Sequence, residues 1–248
     1  MKPLSSETDD RPASGSRRYP VAMCGRFTQK TSSAELASLY GAVDHAELAG
    51  ERFNVAPTQT VAVVVQRESG RTIEALRWGF VPSWSQRLTS SSRMINARAE
   101  SIGSSPAYRR AFLNGRCIIP ADGFYEWARS PDGRRLPFYI TAADGGPIGL
   151  AGLRATWHDP SGKSAPLRSC TIATTTPNEL MASIHNRMPV VLAPEAWEPW
   201  LDSSTDPAEL QGLLQPFIGE LVARQVSTLV NSPAHDGPAL IAPAAPEA

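Results

Sequence analysis

The sequence predicts one domain built on an antiparallel, meandering set of β-strands with short helices beside them, and three observations predict it. β-branched and apolar runs of strand length recur between turn-forming clusters. The segments that read as helices are few and short, and each carries its own start or stop signal. No internal repeat or composition break divides the 248 residues, a length that suits one large domain.

Taken in order, residues 1–22 are rich in Ser, Pro and charge and lack a periodic apolar pattern, so they read as a disordered tail or as an extension from a misplaced start. Ser32 with Glu35 forms a capping box for a helix through Leu36, Leu39 and Tyr40, which Gly41 can end in the left-handed conformation. Residues 52–58 read as irregular. A strand over 60–66, a turn at Glu68-Ser69-Gly70 and a return over 72–78 make a hairpin. Residues 78–84 place Trp78 and Trp84 around a Gly and a Pro, which suits a loop capping the core with two aromatic side chains.

After a Ser-rich connector and the stretch 96–100, a helix is predicted over 106–114, with Pro106 at its first position and Gly115 beyond its end. Strands follow at 116–120 and 124–127, and the Pro131-Asp132-Gly133 turn pairs the second with 136–141. Shorter strands are predicted at 148–152, 155–158 and 169–175. Thr176-Pro177-Asn178-Glu179 reads as a helix start, and that helix should end near His185, because Pro189 disfavours helical geometry at Met188. Trp197, Trp200 and Leu201 suggest one small helix and residues 208–214 another. Beyond about Ser232 the Pro- and Ala-rich chain reads as a loosely docked tail, with 244–248 as its end.

Formal net charge is zero and the pI near 6.9, so bulk electrostatics does not point to nucleic acid, and any polyanion site must be a local patch. Of 24 basic residues 21 are arginine, a composition that suits phosphate or guanine recognition but that GC-rich coding accounts for in most positions. Cys24, Cys117 and Cys170 are an odd number with no CxxC pair, which suggests neither a disulfide framework nor a zinc site; a reducing compartment fits, and no cofactor or metal is expected. Neither a signal peptide nor a membrane-spanning run is present, so a soluble, cytoplasmic protein is expected.

Four polar residues stand in apolar or aromatic surroundings: Cys24, Asn96, Glu126 and His185. If Met23 were the initiator, its removal would leave Cys24 with a free α-amine beside its thiol, two nucleophiles titrating at about 8 and about 8.5. Such a 1,2-aminothiol can add twice to one aldehyde carbon and close a thiazolidine, which an internal cysteine cannot do. The bland alternative is a small buried apolar residue. Glu126 lies between Tyr125 and Trp127: pointing inward, its carboxyl would be raised by desolvation into the range useful for proton transfer, and pointing outward it would be ordinary surface. His185, beside a helix carboxyl end, would gain about 0.3–1 kcal/mol for its charged form, although a lone histidine is more often structural.

The ordered set MCGRF, RFNVAPTQ, RWGFVPSW, INARAES, RCIIPADGFYEW, TTTPNE and IHNRMPVVL resembles the SRAP family, the SOS-response-associated peptidases that process abasic sites in single-stranded DNA. The resemblance runs from Met23 to about Pro243 and implies a single α+β domain with a β-rich, barrel-like core over 23–243. It implies Cys24 as the nucleophile that crosslinks to the ring-opened abasic sugar, Asn96 positioning the amine, Glu126 handling protons and His185 assisting ring opening. It also implies a DNA groove with Arg26, Arg98 and Arg187 at phosphates and with Asn54, Pro57 and Trp84 alongside, the last two under flanking bases. Single-stranded DNA carrying abasic sites is the implied partner, with replication-fork proteins as further candidates, a nucleoid location when bound, no membrane and a monomer as the default. The 22 residues ahead of Met23 depart from the family pattern, which a misplaced start or self-cleavage would resolve. A non-covalent single-stranded DNA-binding module and, more remotely, an N-terminal-nucleophile glutamine amidotransferase are the competing readings.

Overall fold

The computed structural model describes residues 24–48, 50–88 and 94–244; the expectations for residues 1–22, Met23, most of the Ser-rich connector and residues 245–248 lie outside them. Strand β1 (Arg26–Gln29) leads to helix α1 (Ser33–Tyr40), where Ser32 and Glu35 close the expected capping box and Gly41, at φ 58°, ends the helix. Strands β2 (Ala42–Asp44) and β3 (Arg52–Val55) follow. The second corrects the irregular reading of 52–58: its run has no alternation because three of its four residues are buried, and only its antiparallel pairing with β1 makes it a strand. β4 (Thr60–Arg67) and β5 (Gly70–Trp78) form the expected hairpin across Glu68 and Ser69.

Next come β6 (Asn96–Arg98), α2 (Arg109–Asn114), β7 (Arg116–Ala121), β8 (Gly123–Arg129) and β9 (Arg135–Ala142). Helix α2 begins three residues later than Pro106 suggested, because 101–108 are taken up in turns. β10 (Ile148–Trp157) is a single strand where two were expected: Leu153 and Arg154 continue the ladder opposite Thr171 and Cys170 of β11 (Leu167–Thr175). α3 (Glu179–Ala182) is one turn capped by Asn178, not Thr176, and stops short of His185. The helix-dipole argument for His185 therefore falls away, since four residues align too few peptide dipoles. β12 (Met188–Pro189), β13 (Val191–Leu192), α4 (Pro194–Leu201), α5 (Pro207–Gly212) and β14 (Leu221–Gln225) complete the elements.

The strands form two sheets, one ordered β14-β9-β8-β1-β3 and the other β12-β11-β10-β7-β4-β5-β2. In the second, β5 returns to pair in parallel with β11 through Arg77 with Ser169 and Trp78 with Cys170, so β5, β4, β7, β10 and β11 close a five-stranded barrel. This is the α+β, barrel-like class expected. The pairing is mostly antiparallel, with parallel exceptions at β2–β5, β5–β11 and β6–β11 that short local patterns could not announce. One apolar cluster, with Val61, Val63, Leu76, Cys117, Ile119, Leu150, Cys170 and Ile172, joins the barrel strands to Phe27 and Phe124 of the other sheet. A second packs α1, α2, α4 and α5 against the barrel strands. Trp78 belongs to the first as expected of a core cap, but Trp84 is 58 % exposed and caps nothing.

The carboxyl-terminal segment corrects the expectation of a loose tail. It forms 3-10 turns at Thr228–Asn231 and Pro238–Ile241 and bridges Val226 to Pro243, and its Val230 and Leu240 are buried with Phe53, Tyr125 and Tyr139. Phe53 donates its amide to Asp236 Oδ1 at 2.6 Å.

Candidate active site

The antiparallel pairing of β1 with β8 sets Arg26 opposite Tyr125 and Phe27 opposite Phe124, which carries Cys24, two residues upstream, alongside Glu126. The Cys24 backbone N–H donates to Glu126 Oε2 at 2.9 Å. Alternation along β8 turns Tyr125 to the cluster under the carboxyl-terminal segment and Glu126 to the opposite face, where it is 2 % exposed. The inward orientation is therefore the one adopted. Cys24 is buried and holds φ at 46°, a left-handed conformation that costs a non-glycine residue about 1–3 kcal/mol.

His185 follows the single turn of α3, its amide bonded to the Met181 carbonyl at 2.7 Å. Its Nδ1 accepts the Arg187 amide at 3.1 Å, which assigns the proton of the neutral ring to Nε2. That nitrogen stands 3.8 Å from Glu126 Oε1. The two carboxylate oxygens thus face different partners, Cys24 on one side and His185 on the other.

Electrostatics follow from this burial. Desolvation pushes the Glu126 carboxyl up, against the opposing pull of His185 and of the Cys24 N–H. Desolvation and then the Glu126 carboxylate push the Cys24 thiol well above its ordinary value, and the Arg187 guanidinium draws it back. A raised carboxylate beside a protonated thiol is a base placed to receive that thiol's proton.

Arg187 is itself held by an ion pair to Glu100 and by a 2.6 Å bond to the Thr174 carbonyl. Thr174 pairs with Arg98 and Ile172 with Asn96, so β11 ties these two residues to the strip that anchors Arg187. Arg98 is exposed, and the Asn96 carbonyl accepts from Tyr108 Oη at 3.1 Å. Cys24, Glu126 and His185 are brought into one cluster with Arg187 in electrostatic reach. Arg26 and Asn54 are engaged elsewhere: Arg26 bonds Asn54 Oδ1 and the Val230 carbonyl, and Asn54, 2 % exposed, holds the Val230, Ser232 and His235 carbonyls. Pro57 is half-buried after β3. Sequence reasoning missed Arg135, whose guanidinium lies 5.1 Å from the Trp127 ring centroid and feels the Glu126 charge; the Arg129–Arg135 register that places it is a long-range fact. Among the described residues no group of three or more His, Cys, Asp or Glu could hold a metal ion, and no helix is long and apolar enough to cross a membrane.

A closed five-stranded barrel flanked by a second sheet, with a buried cysteine and carboxylate and a half-buried imidazole at its side, defines an α+β protein of the β-rich, barrel-like class. A family model for the SOS response associated peptidase (SRAP) matches residues 23–233, and the chain belongs to that family. It is similar to the abasic site processing protein YoqW of Bacillus subtilis (strain 168), 42% identical over 224 residues that make up 88% of this chain and 99% of that one. It is also similar to the abasic site processing protein YedK of Escherichia coli (strain K12), 30% identical over 184 residues, 72% of this chain and 79% of that one. A crystal structure of a protein from Bacteroides thetaiotaomicron superposes with a TM-score of 0.81 at 26% identity, covering 90% of this chain and all of that one.

Proposed function

We propose that this chain, through a domain spanning residues 23–243, processes abasic sites in single-stranded DNA by joining the ring-opened sugar covalently to Cys24. The observation that carries the reading is the Cys24 backbone nitrogen bonded to a buried carboxylate whose other oxygen faces His185. The names of the relatives, abasic site processing proteins, support it.

With Cys24 as the amino terminus, its amine adds to the aldehyde carbon to give a carbinolamine, and loss of one water leaves an imine. The thiol then adds to the imine carbon, its proton passing to the nitrogen through Glu126, and a thiazolidine closes. His185 Nε2–H moves the proton needed to open the cyclic hemiacetal. Each proton-transfer role is worth about 10²- to 10⁴-fold in rate. Asn96 positions the amine; Arg98 and Arg187 meet phosphates; Pro57 and Trp84 support flanking bases. Arg26 and Asn54 serve the groove by fixing the carboxyl-terminal segment beside it. A self-cleaving peptidase activity that removes residues 1–23 would expose the same amine.

The test incubates protein whose intact mass shows Cys24 first with abasic single-stranded DNA and runs a denaturing gel. A shifted band in wild type, absent in Cys24→Ala while native binding persists, is the expected result. An adduct that survives Cys24→Ala removes Cys24 from the role, and native binding with no shifted band in wild type replaces the covalent reading with a non-covalent binding module.

A further inference from the structure

Four strands of the barrel end their inward-facing apolar rows in charge. Alternation carries Val61, Val63 and Val65 of β4 on to Arg67, Leu76 and Trp78 of β5 back to Glu74, Leu150 of β10 through Gly152 to Arg154, and Cys170 and Ile172 of β11 back to Arg168. A Cβ on Gly152 would stand 3.0 Å from Cys117 Sγ, so this face of β10 looks into the barrel. Arg67, Thr72, Glu74, Arg116 and Arg154 line a cavity of about 1030 Å³ at this mouth. Along β11 six residues separate Arg168 from Thr174, whose carbonyl holds Arg187. That is about 20 Å at about 3.3 Å per residue, so the mouth lies apart from the candidate active site.

The charges on these inward positions do not balance. Glu74 is buried, and its oxygens already accept Thr72 Oγ1 at 2.9 Å and Arg67 Nε and Nη2 at 2.7 and 2.8 Å, with Arg168 in a further ion pair. Its capacity is spent on two guanidinium groups. Arg154 is a third, and its buried Nε has no hydrogen-bond partner among the described residues. Burial disfavours the charged form of Arg154; the Cys117 thiol favours that form and Arg67 opposes it. Burial and then Arg67 act the same way on Arg168. Three guanidinium groups against one carboxylate leave two positive charges facing one another.

The class of ligand follows from that surplus and from the rest of the lining. A phosphate monoester carries about −1.5 to −2 at neutral pH on three strong acceptor oxygens, which matches two charges presented by guanidinium forks. A lone carboxylate brings half of that charge. The exposed acids Glu68 and Asp202 also line the cavity, and Asp202 balances Arg116. They oppose a long polyanion but leave the guanidinium side open to a compact dianion. Gln66, Ser69 and Asn114 offer neutral hydrogen-bonding groups in the same space.

We propose that this barrel mouth binds the phosphate group of a small molecule, seated between Arg154 and the Arg67–Arg168 pair, with the remainder of the molecule toward Gln66, Ser69 and Asn114. Bound phosphate relieves the repulsion among the three guanidinium groups. The site is independent of the chemistry at Cys24.

The test titrates inorganic phosphate into the full chain by calorimetry, at an ionic strength held constant with chloride, and follows the melting temperature in the same buffers. Wild type should bind one phosphate and melt higher in phosphate than in chloride. Arg154→Met keeps the aliphatic length and removes the charge, and it should weaken phosphate about tenfold or more, as loss of one charge-assisted contact does. A melting point in chloride at or above that of wild type shows its fold intact. Glu74→Gln removes the competing carboxylate and should tighten phosphate instead. Equal stabilisation of wild type by chloride and phosphate overturns the proposal without any variant, and so does equal phosphate affinity in wild type and Arg154→Met. A lesion-free single-stranded oligonucleotide that displaces the bound phosphate would also overturn it, by assigning the mouth to nucleic acid. Arg154→Met should form the abasic crosslink at wild-type yield, so failure at this mouth and failure at Cys24 are read on separate assays.

Discussion

Glu126 and Cys24 show how position converts ordinary side chains into a site. A carboxyl raised by burial binds its proton more tightly in the folded chain than in the unfolded one, where glutamate titrates near about 4.3. Between those two values the folded state holds the extra proton, so stability falls as pH rises, and above the folded value the whole cost is present. Glu126→Gln cannot ionise and should escape this loss. Urea denaturation across the acidic to neutral range should show the variant gaining on wild type as pH climbs, and parallel curves would refute a raised Glu126. The residue types at 24, 126 and 185 were legible from their apolar surroundings, but which way Glu126 pointed was not. Alternation permits either face until a partner sheet chooses one. His185 was found for a reason that failed, since it is held by Met181 and Arg187 rather than by a long helix.

At the level of elements, β8 is the part that presents the carboxylate, and Gly123 sets how closely it can lie on β9. A Cβ there would stand 2.6 Å from the Ile140 carbonyl oxygen and 2.6 Å from the Tyr139 ring, so backbone must move. Gly123→Ala should cost about 1–3 kcal/mol, the range for overpacking, and should reduce adduct yield by displacing Glu126. A calorimetric melting point equal to wild type would show that the ladder absorbs the methyl group. The hairpin β4–β5 and helix α1 were readable because their turn and cap signals are local. Strand β3, the continuous β10 and the one-turn α3 were not, because ladder partners far along the chain decide whether such runs pair or stop.

Across the whole molecule, the site depends on a segment that composition dismissed. Val226, Val230 and Leu240 close the cluster over Tyr125 and Tyr139, while Arg26, Asn54 and Trp127 bond its carbonyls and Asn231. Exposing three buried apolar side chains costs about 1.5–3 kcal/mol each, which rivals the total stability of about 5–15 kcal/mol of a typical domain. Truncation after Gln225 should therefore abolish cooperative unfolding by circular dichroism, and a truncated chain that melts as wild type does would refute this role. By itself the sequence determined the β-rich class, the capping box of α1 and the β4–β5 hairpin, and it singled out Cys24, Glu126 and His185 as candidates, since each is written in nearest neighbours or in motif spacing. Only the tertiary structure decided that β5 closes on β11, that the tail is a clamp, and that Cys24 meets Glu126 across 102 positions of sequence. Those outcomes rest on burial and register between distant segments, and no short stretch of sequence contains both partners of such a contact.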